Sequence, residues 1–199
     1  MKKGNTGNRR FHLVFLIMAM VIFASVFSGC ASKPDLSKKK GAYVVTIDGV
    51  EISPRKSTVK DLTNSGFQVA VREGDGDEAQ YFELDSSMRL AANTSYYGNY
   101  LFKNDVLIAH LTLTGYTGVK SATVADIESI SVDVADIEGF NVLIEGVPAS
   151  EVTVENVEEK FPGIKPSGDN FELQNEDKYR ILVSVKDGKI EGFTCNYLD

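Results

Sequence analysis

Tryptophan is absent, and histidine and cysteine occur only twice each in 199 residues. Without tryptophan, the usual flat platform for a sugar ring is missing. The two histidines, His12 and His110, stand far apart, so a histidine-based metal cluster has nothing to be built from. A single histidine among scattered serines does not make a triad, and there is no G-x-S-x-G elbow. No G-x-G-x-x-G or Walker-type loop follows a β-prone run. The stretch over 72–78 (REGDGDE) is acidic and broken by glycine, but it lacks the ligand spacing and distal glutamate of a calcium loop. It reads as a solvated turn. Carboxylates are plentiful, yet nothing marks out one pair of them for glycosidase-type chemistry. The expectation is a chain that is not an enzyme and carries no metal and no cofactor.

What the chain does have is concentrated at its start. Lys2, Lys3, Arg9 and Arg10 precede an almost unbroken apolar run over 11–27, which ends in Ser28, Gly29 and Cys30. Basic residues, an apolar stretch and small residues in that order describe a secretory signal peptide. The run is shorter than the ~20 apolar residues a membrane span prefers. Phe27-Ser28-Gly29-Cys30 resembles the lipobox of bacterial lipoproteins, with Phe27 where leucine is usual and Ser28 and Gly29 matching well. That resemblance implies diacylation of the Cys30 thiol and removal of residues 1–29. It places the protein at the cell membrane, lipid-anchored through Cys30, on the extracytoplasmic side, with the four basic residues left in the cytoplasm.

The leader also limits the chemistry open to the mature chain. His12 falls within it, so His110 is the one histidine left after cleavage. With Cys30 acylated, Cys195 has no partner for an intrachain disulfide. Strand alternation puts Cys195 on one apolar face with Phe193 and Tyr197, where it reads as a small buried hydrophobe. An exported chain without disulfides suits a Gram-positive producer. The leader removes four of the 21 basic residues and no acid, which takes the net charge from −7 to −11. Phosphate backbones would be repelled by such a surface, so nucleic acid is not an expected partner.

Along the mature chain, residues 30–41 are polar and charged, contain Pro34, and read as a tether. Two β-prone runs flank Asp48-Gly49, a strong hairpin signal. Thr58 and Asp61 then make a capping pattern for a short helix that Gly66 ends. Strands are predicted over 81–84, 97–103 and 106–114, with Asn104-Asp105 as the turn between the last two. In the third, Leu107, Ala109, Leu111 and Leu113 face one way and His110 the other. Over 122–128 a helical turn is expected, with alternation from Ile130 onward. The opening then repeats: Glu145-Gly146-Val147 restates Asp48-Gly49-Val50. Thr153-Val154 with Val157 likewise restates Thr58-Val59 with Leu62, predicting a second capped helix over 153–161. A three-strand meander closes the chain, with Asp187-Gly188 in its last turn.

This pattern resembles a group of uncharacterised lipoproteins of Firmicutes. The residues that carry it are Thr58-Val59-Lys60-Asp61-Leu62 with Gly66-Phe67, and Thr153-Val154-Glu155-Asn156-Val157 with Phe161-Pro162. Pro162-Gly163 departs from the usual Gly-x-Pro. A capped helix before a meander is also distantly similar to β-lactamase-inhibitor-protein-like folds and small outer-membrane assembly lipoproteins, which implies binding of other proteins. The expected fold class is α+β: two tandem modules, 42–134 and 135–199, each a short capped helix packed on an antiparallel sheet.

Tyr96, Tyr97 and Tyr100 are the candidate binding residues, because tyrosine offers contact area and a polar tip at low entropic cost. Tyr100 shares a strand face with Phe102. The expected role is non-catalytic binding of a protein partner, the alternative an accessory binding protein for a small ligand or cell-wall component. Cys30→Ala is expected to lose a diacylglycerol-sized mass gain in intact-mass analysis and to leave the membrane fraction. A mutant processed and located like the wild type would refute lipidation.

Overall fold

Two-residue turns of residues that tolerate a left-handed backbone fold this chain back on itself repeatedly, and antiparallel sheet is the outcome. The computed structural model describes residues 33–74, 79–116 and 118–198. The leader, Cys30 and residues 75–78 of the expected acidic turn lie outside the described residues. Strands β1 (Val45–Ile47) and β2 (Val50–Ile52) form the first hairpin, with Asp48 at φ 48° and Gly49 at φ 84°. These are the angles a hairpin turn needs to match strand twist. Helix α1 (Val59–Asn64) follows, with Thr58 and Asp61 satisfying each other's backbone N–H groups in a capping box.

Next come β3 (Gln68–Glu73), β4 (Gln80–Glu83), β5 (Arg89–Leu90), β6 (Ser95–Lys103), β7 (Val106–Thr114), β8 (Lys120–Ser121) and β9 (Asp126–Asp133). The second half contributes β10 (Val142–Ile144), β11 (Val147–Pro148), helix α2 (Val157–Lys160), β12 (Lys165–Ser167), β13 (Asn170–Gln174), β14 (Tyr179–Lys186) and β15 (Lys189–Tyr197). Nine strands form one sheet in the order β12-β13-β14-β15-β9-β7-β6-β3-β4. A four-stranded sheet runs β11-β10-β1-β2, and β5 pairs with β8.

The expectation of α+β modules is corrected here. Strand makes up 49% of the structure and helix 12%, so the architecture is mostly β. Two reasons are local. The second helix shrinks to Val157–Lys160, because 154–156 form turns and the Asn156 side chain accepts from the Thr153 N–H at 2.8 Å instead of a threonine cap forming. Over 122–128 only a 3-10 turn, Ala122–Val124, precedes β9. The third reason is tertiary. Strand β15 pairs with β9, and β1 with β10, so elements from both halves share the same sheets. Residues Asp35–Asp199 cluster as one unit. Accordingly, one continuous core holds Tyr43, Val45 and Ile47 beside Leu62, Leu101, Ile130, Phe161 and Phe193.

The small sheet joins the two similar hairpins edge to edge. Val45 lies opposite Ile144 and Ile47 opposite Val142. The first turn residue of each hairpin then clasps the other's strand. The Asp48 N–H donates to the Asn141 carbonyl at 2.9 Å, and Asp48 Oδ1 accepts from the Asn141 N–H at 3.0 Å. In the same way the Glu145 N–H donates to the Val44 carbonyl at 2.9 Å, and Glu145 Oε1 accepts from the Val44 N–H at 2.6 Å. Each carboxylate takes one lysine: Lys103 on Asp48 at 2.9 Å, Lys39 on Glu145 at 2.6 Å. The tether is also tied down from Asp35. The Leu36 N–H donates to the Pro162 carbonyl at 2.8 Å, and Tyr43 Oη donates to the Leu36 carbonyl at 3.1 Å.

Glu145→Ala strands the Val44 N–H and Lys39 together and is expected to cost roughly 2–3 kcal/mol in urea unfolding. The hydrogen bonds from Lys103 and the Asn141 N–H hold the Asp48 carboxyl below the usual carboxylate range. A lowered folded-state pKa gives stability that is present above the unfolded value of about 4 and is lost as pH falls through the folded value. Asp48→Asn is therefore expected to flatten the acid-side fall of the urea midpoint.

Candidate functional site

The large sheet has one face buried and one open, and strand register decides which residues stand on each. One row crosses all nine strands by direct pairing: Glu83, Ala70, Tyr100, His110, Ser131, Thr194, Leu182, Glu172 and Lys165. It is the open face. The neighbouring row, through Leu111, Ile130, Cys195 and Ile181, faces the core. Cys195 is fully buried there and burial pushes its thiol pKa up, so it stays protonated and inert, as the sequence leads one to expect.

Rings collect at the β4 end of the open face. Tyr81 meets Tyr100 and Phe102 edge-on, with both pairs of centroids 5.1 Å apart. Tyr100 in turn packs against the His110 ring at 4.8 Å. Offset and edge-on pairs of this kind are the favoured aromatic contacts. A cavity of about 240 Å³ opens beside them, lined by Gln68, Ala70, Tyr81, Glu83, Phe102 and Asp105. Beyond the rings, His110 Nε2 is 3.8 Å from Asp133 Oδ2. Burial, with Asp136 and Glu191 nearby, holds the Asp133 carboxyl above its ordinary range, against the lowering effect of His110. The ligand atoms of His110, Asp133 and Asp136 lie within 4.8 Å of one another, and this is the one such donor group among the described residues. All three are half-exposed.

A second site lies at another corner of the sheet. Arg55, at φ 59° in the turn before α1, lays its guanidinium 3.6 Å from the Tyr197 ring centroid and 4.2 Å from that of Tyr116. Its Nη2 is 3.8 Å from Glu128 Oε1, and both side chains are one-tenth exposed. Glu128 also accepts from Ser95 Oγ. The loop carrying Tyr116 packs tightly on the Ala91 backbone because of Gly115, where a Cβ would sit 2.8 Å from the Ala91 carbonyl oxygen. Two cavities, of about 240 and 330 Å³, meet at Ser95 and Glu128. Arg55 and Tyr116 line one, Tyr97, Arg180, Asn196 and Tyr197 the other.

The three tyrosines singled out from sequence do not come together. Tyr96 Oη accepts from the Ala91 N–H at 2.7 Å and anchors the loop before β6. Tyr97 is 76% exposed and lines the cleft beside Glu128. Tyr100, only 9% exposed, belongs to the ring cluster with Phe102, its partner on the same strand face. Sequence reasoning missed Arg55, Tyr116 and Tyr197, whose meeting leaves no local trace. It also missed the role of Tyr81, although Tyr81 and Glu83 alternate toward one face of β4.

Arg55→Ala removes a buried ion pair and two ring contacts, and is expected to cost about 3 kcal/mol in urea unfolding. Tyr97→Ala is expected to change stability by less than about 0.5 kcal/mol, which would leave its ring available for binding alone. Compared with protein families, curated proteins and solved structures, the chain matches none.

Proposed function

We propose that this is a lipid-anchored extracytoplasmic protein that binds another protein and carries out no reaction of its own. One observation carries the reading: the open face ends in Tyr81, 45% exposed on the edge strand β4, with Tyr100 and Phe102 packed edge-on behind it, and Phe82, 42% exposed, projects from the other face of the same strand. Aromatic side chains gathered at a surface are what protein interfaces are enriched in. Lipidation of Cys30 supplies residence at the membrane. The chemistry around the site suits binding, since His110 packs on Tyr100 and beside Asp133, the hydroxyl of its cross-strand neighbour Ser131 is engaged with that of Thr194, and Cys195 is buried on the other face.

The second reading is an accessory protein for a small ligand or cell-wall component. It draws on the cleft at Ser95 and Glu128, where Tyr97 and Tyr116 stand exposed beside Arg180 and Asn196.

A photo-crosslinking residue placed at Phe82 in intact cells is expected to give a discrete protein adduct. The adduct should disappear when Tyr81→Arg is added, and should not form from the control position Asp169. Equal adducts from both positions, or none from Phe82, would overturn the protein-binding reading. Co-sedimentation with purified cell-wall sacculi that is lost in Tyr97→Ala would move the assignment to the cleft.

A further inference from the structure

The two edges of the nine-stranded sheet are built differently. At one end β12 reads Lys165-Pro166-Ser167. Proline has no N–H to donate and lysine resists strand addition, so this edge is guarded. At the other end β4 reads Gln80-Tyr81-Phe82-Glu83, and all four residues are exposed. It holds neither proline nor lysine, and its register with β3 runs from Ala70↔Glu83 to Glu73↔Gln80 without a bulge. Among the described residues no strand pairs with its outer side. Such an edge presents unpaired N–H and carbonyl groups ready to hydrogen-bond an added strand.

Beside this edge lies the ring-lined cavity of about 240 Å³. Its lining has two carboxylates, Glu83 and Asp105, two rings, Tyr81 and Phe102, an amide, Gln68, and the small Ala70. No lining residue is basic. Asp105 is brought there by the β6–β7 turn, in which Asn104 and Asp105 have φ of 52° and 64°. Two acids and two aromatic rings in one lining favour an ammonium or guanidinium group, and the rings also receive its aliphatic stem. Reach narrows the choice further. Neighbouring strands lie about 4.8 Å apart, so a side chain from a strand added outside β4 must cross β4 to enter the cavity. Lysine and arginine are long enough to do so. The net charge of −11 left once the leader is removed favours a basic partner over an acidic one.

We infer that β4 takes up an extended segment of the partner protein as an additional antiparallel or parallel strand, and that the cavity between Glu83 and Asp105 receives a lysine or arginine side chain of that segment. The inference rests on the protein-binding reading and specifies its partner: a β-prone stretch with a basic residue. A second copy of this chain fits less well, because its own β4 would bring Glu83 rather than a cation.

The test uses the full chain in detergent and a fluorescein-labelled peptide, acetyl-Thr-Thr-Val-Lys-Val-Thr-Thr-amide, read by fluorescence anisotropy. The lysine peptide is expected to bind at least about tenfold more tightly than its norleucine analogue. The double variant Glu83→Gln, Asp105→Asn should erase that difference while leaving the urea midpoint unchanged, as both residues are exposed. A peptide N-methylated along one edge should not bind. Equal binding of the lysine and norleucine peptides would overturn the cation subsite. Undiminished binding of the N-methylated peptide would overturn strand addition, and so would self-association of the chain through β4 with no peptide bound. If no peptide binds while the Phe82 crosslink to a protein persists, this inference falls and the protein-binding reading stands. If the crosslink is also absent, both fall.

Discussion

Everything on the open face depends on the register of β9. This strand is paired on both sides, with β7 through Leu111↔Ile130 and with β15 through Ile130↔Cys195. Side chains alternate along a strand with period two, so a slip of one residue at β9 would send Ile130 and Val132 to solvent and Ser131 into the core. The apolar burial of Ile127, Ile130 and Val132 forbids that slip. Because β9 lies between strands from both halves of the chain, its register aligns the row from Glu83 to Lys165. The ring cluster at one end and the hydroxyl pair Ser131 and Thr194 in the middle, 2.6 Å apart, face the same way for this reason.

The second constraint lies on the covering layer. A nine-stranded sheet needs its inner face shielded, and two hairpins of two or three residues per strand are too short to do so singly. Joined through β1 and β10 they form a four-stranded cover, and the clasps by Asp48 and Glu145 hold the joint at both ends. Each clasp uses a carboxylate for a backbone N–H and brings a lysine from elsewhere in the chain. Lys103 comes from the end of β6, Lys39 from the segment before β1. The joint therefore also ties down the large sheet and the incoming chain.

Local features of this fold were legible in the sequence, and long-range ones were not. Asp48-Gly49, Asn104-Asp105 and Asp187-Gly188 announce their turns, because few residues accept a left-handed backbone and those that do are easily seen. The capping box of Thr58 and Asp61 is a four-residue signal and formed as expected. The similarity of the two hairpins was visible, but their pairing with each other was not, since nothing in a three-residue strand names its partner. This is how tandem α+β modules came to be expected where the strands in fact interleave. The candidate tyrosines show the same limit. Alternation correctly put Tyr100 with Phe102, whereas Tyr81 joins them only because β3 sits between β4 and β6. Arg55 meets Tyr116, Glu128 and Tyr197 through a turn, a loop and two strands, and no spacing rule spans that distance.

The unequal edges of the large sheet bear on how the protein behaves at high local concentration. Open β-edges tend to add copies of themselves, and growth continues when each addition exposes a fresh edge. Here an added chain pairing through its own β4 would leave β12 outermost, with Pro166 and Lys165 facing the next arrival. Growth would stop after one step. A sheet with a single live edge behaves as a chain terminator, able to accept one strand without seeding a fibre.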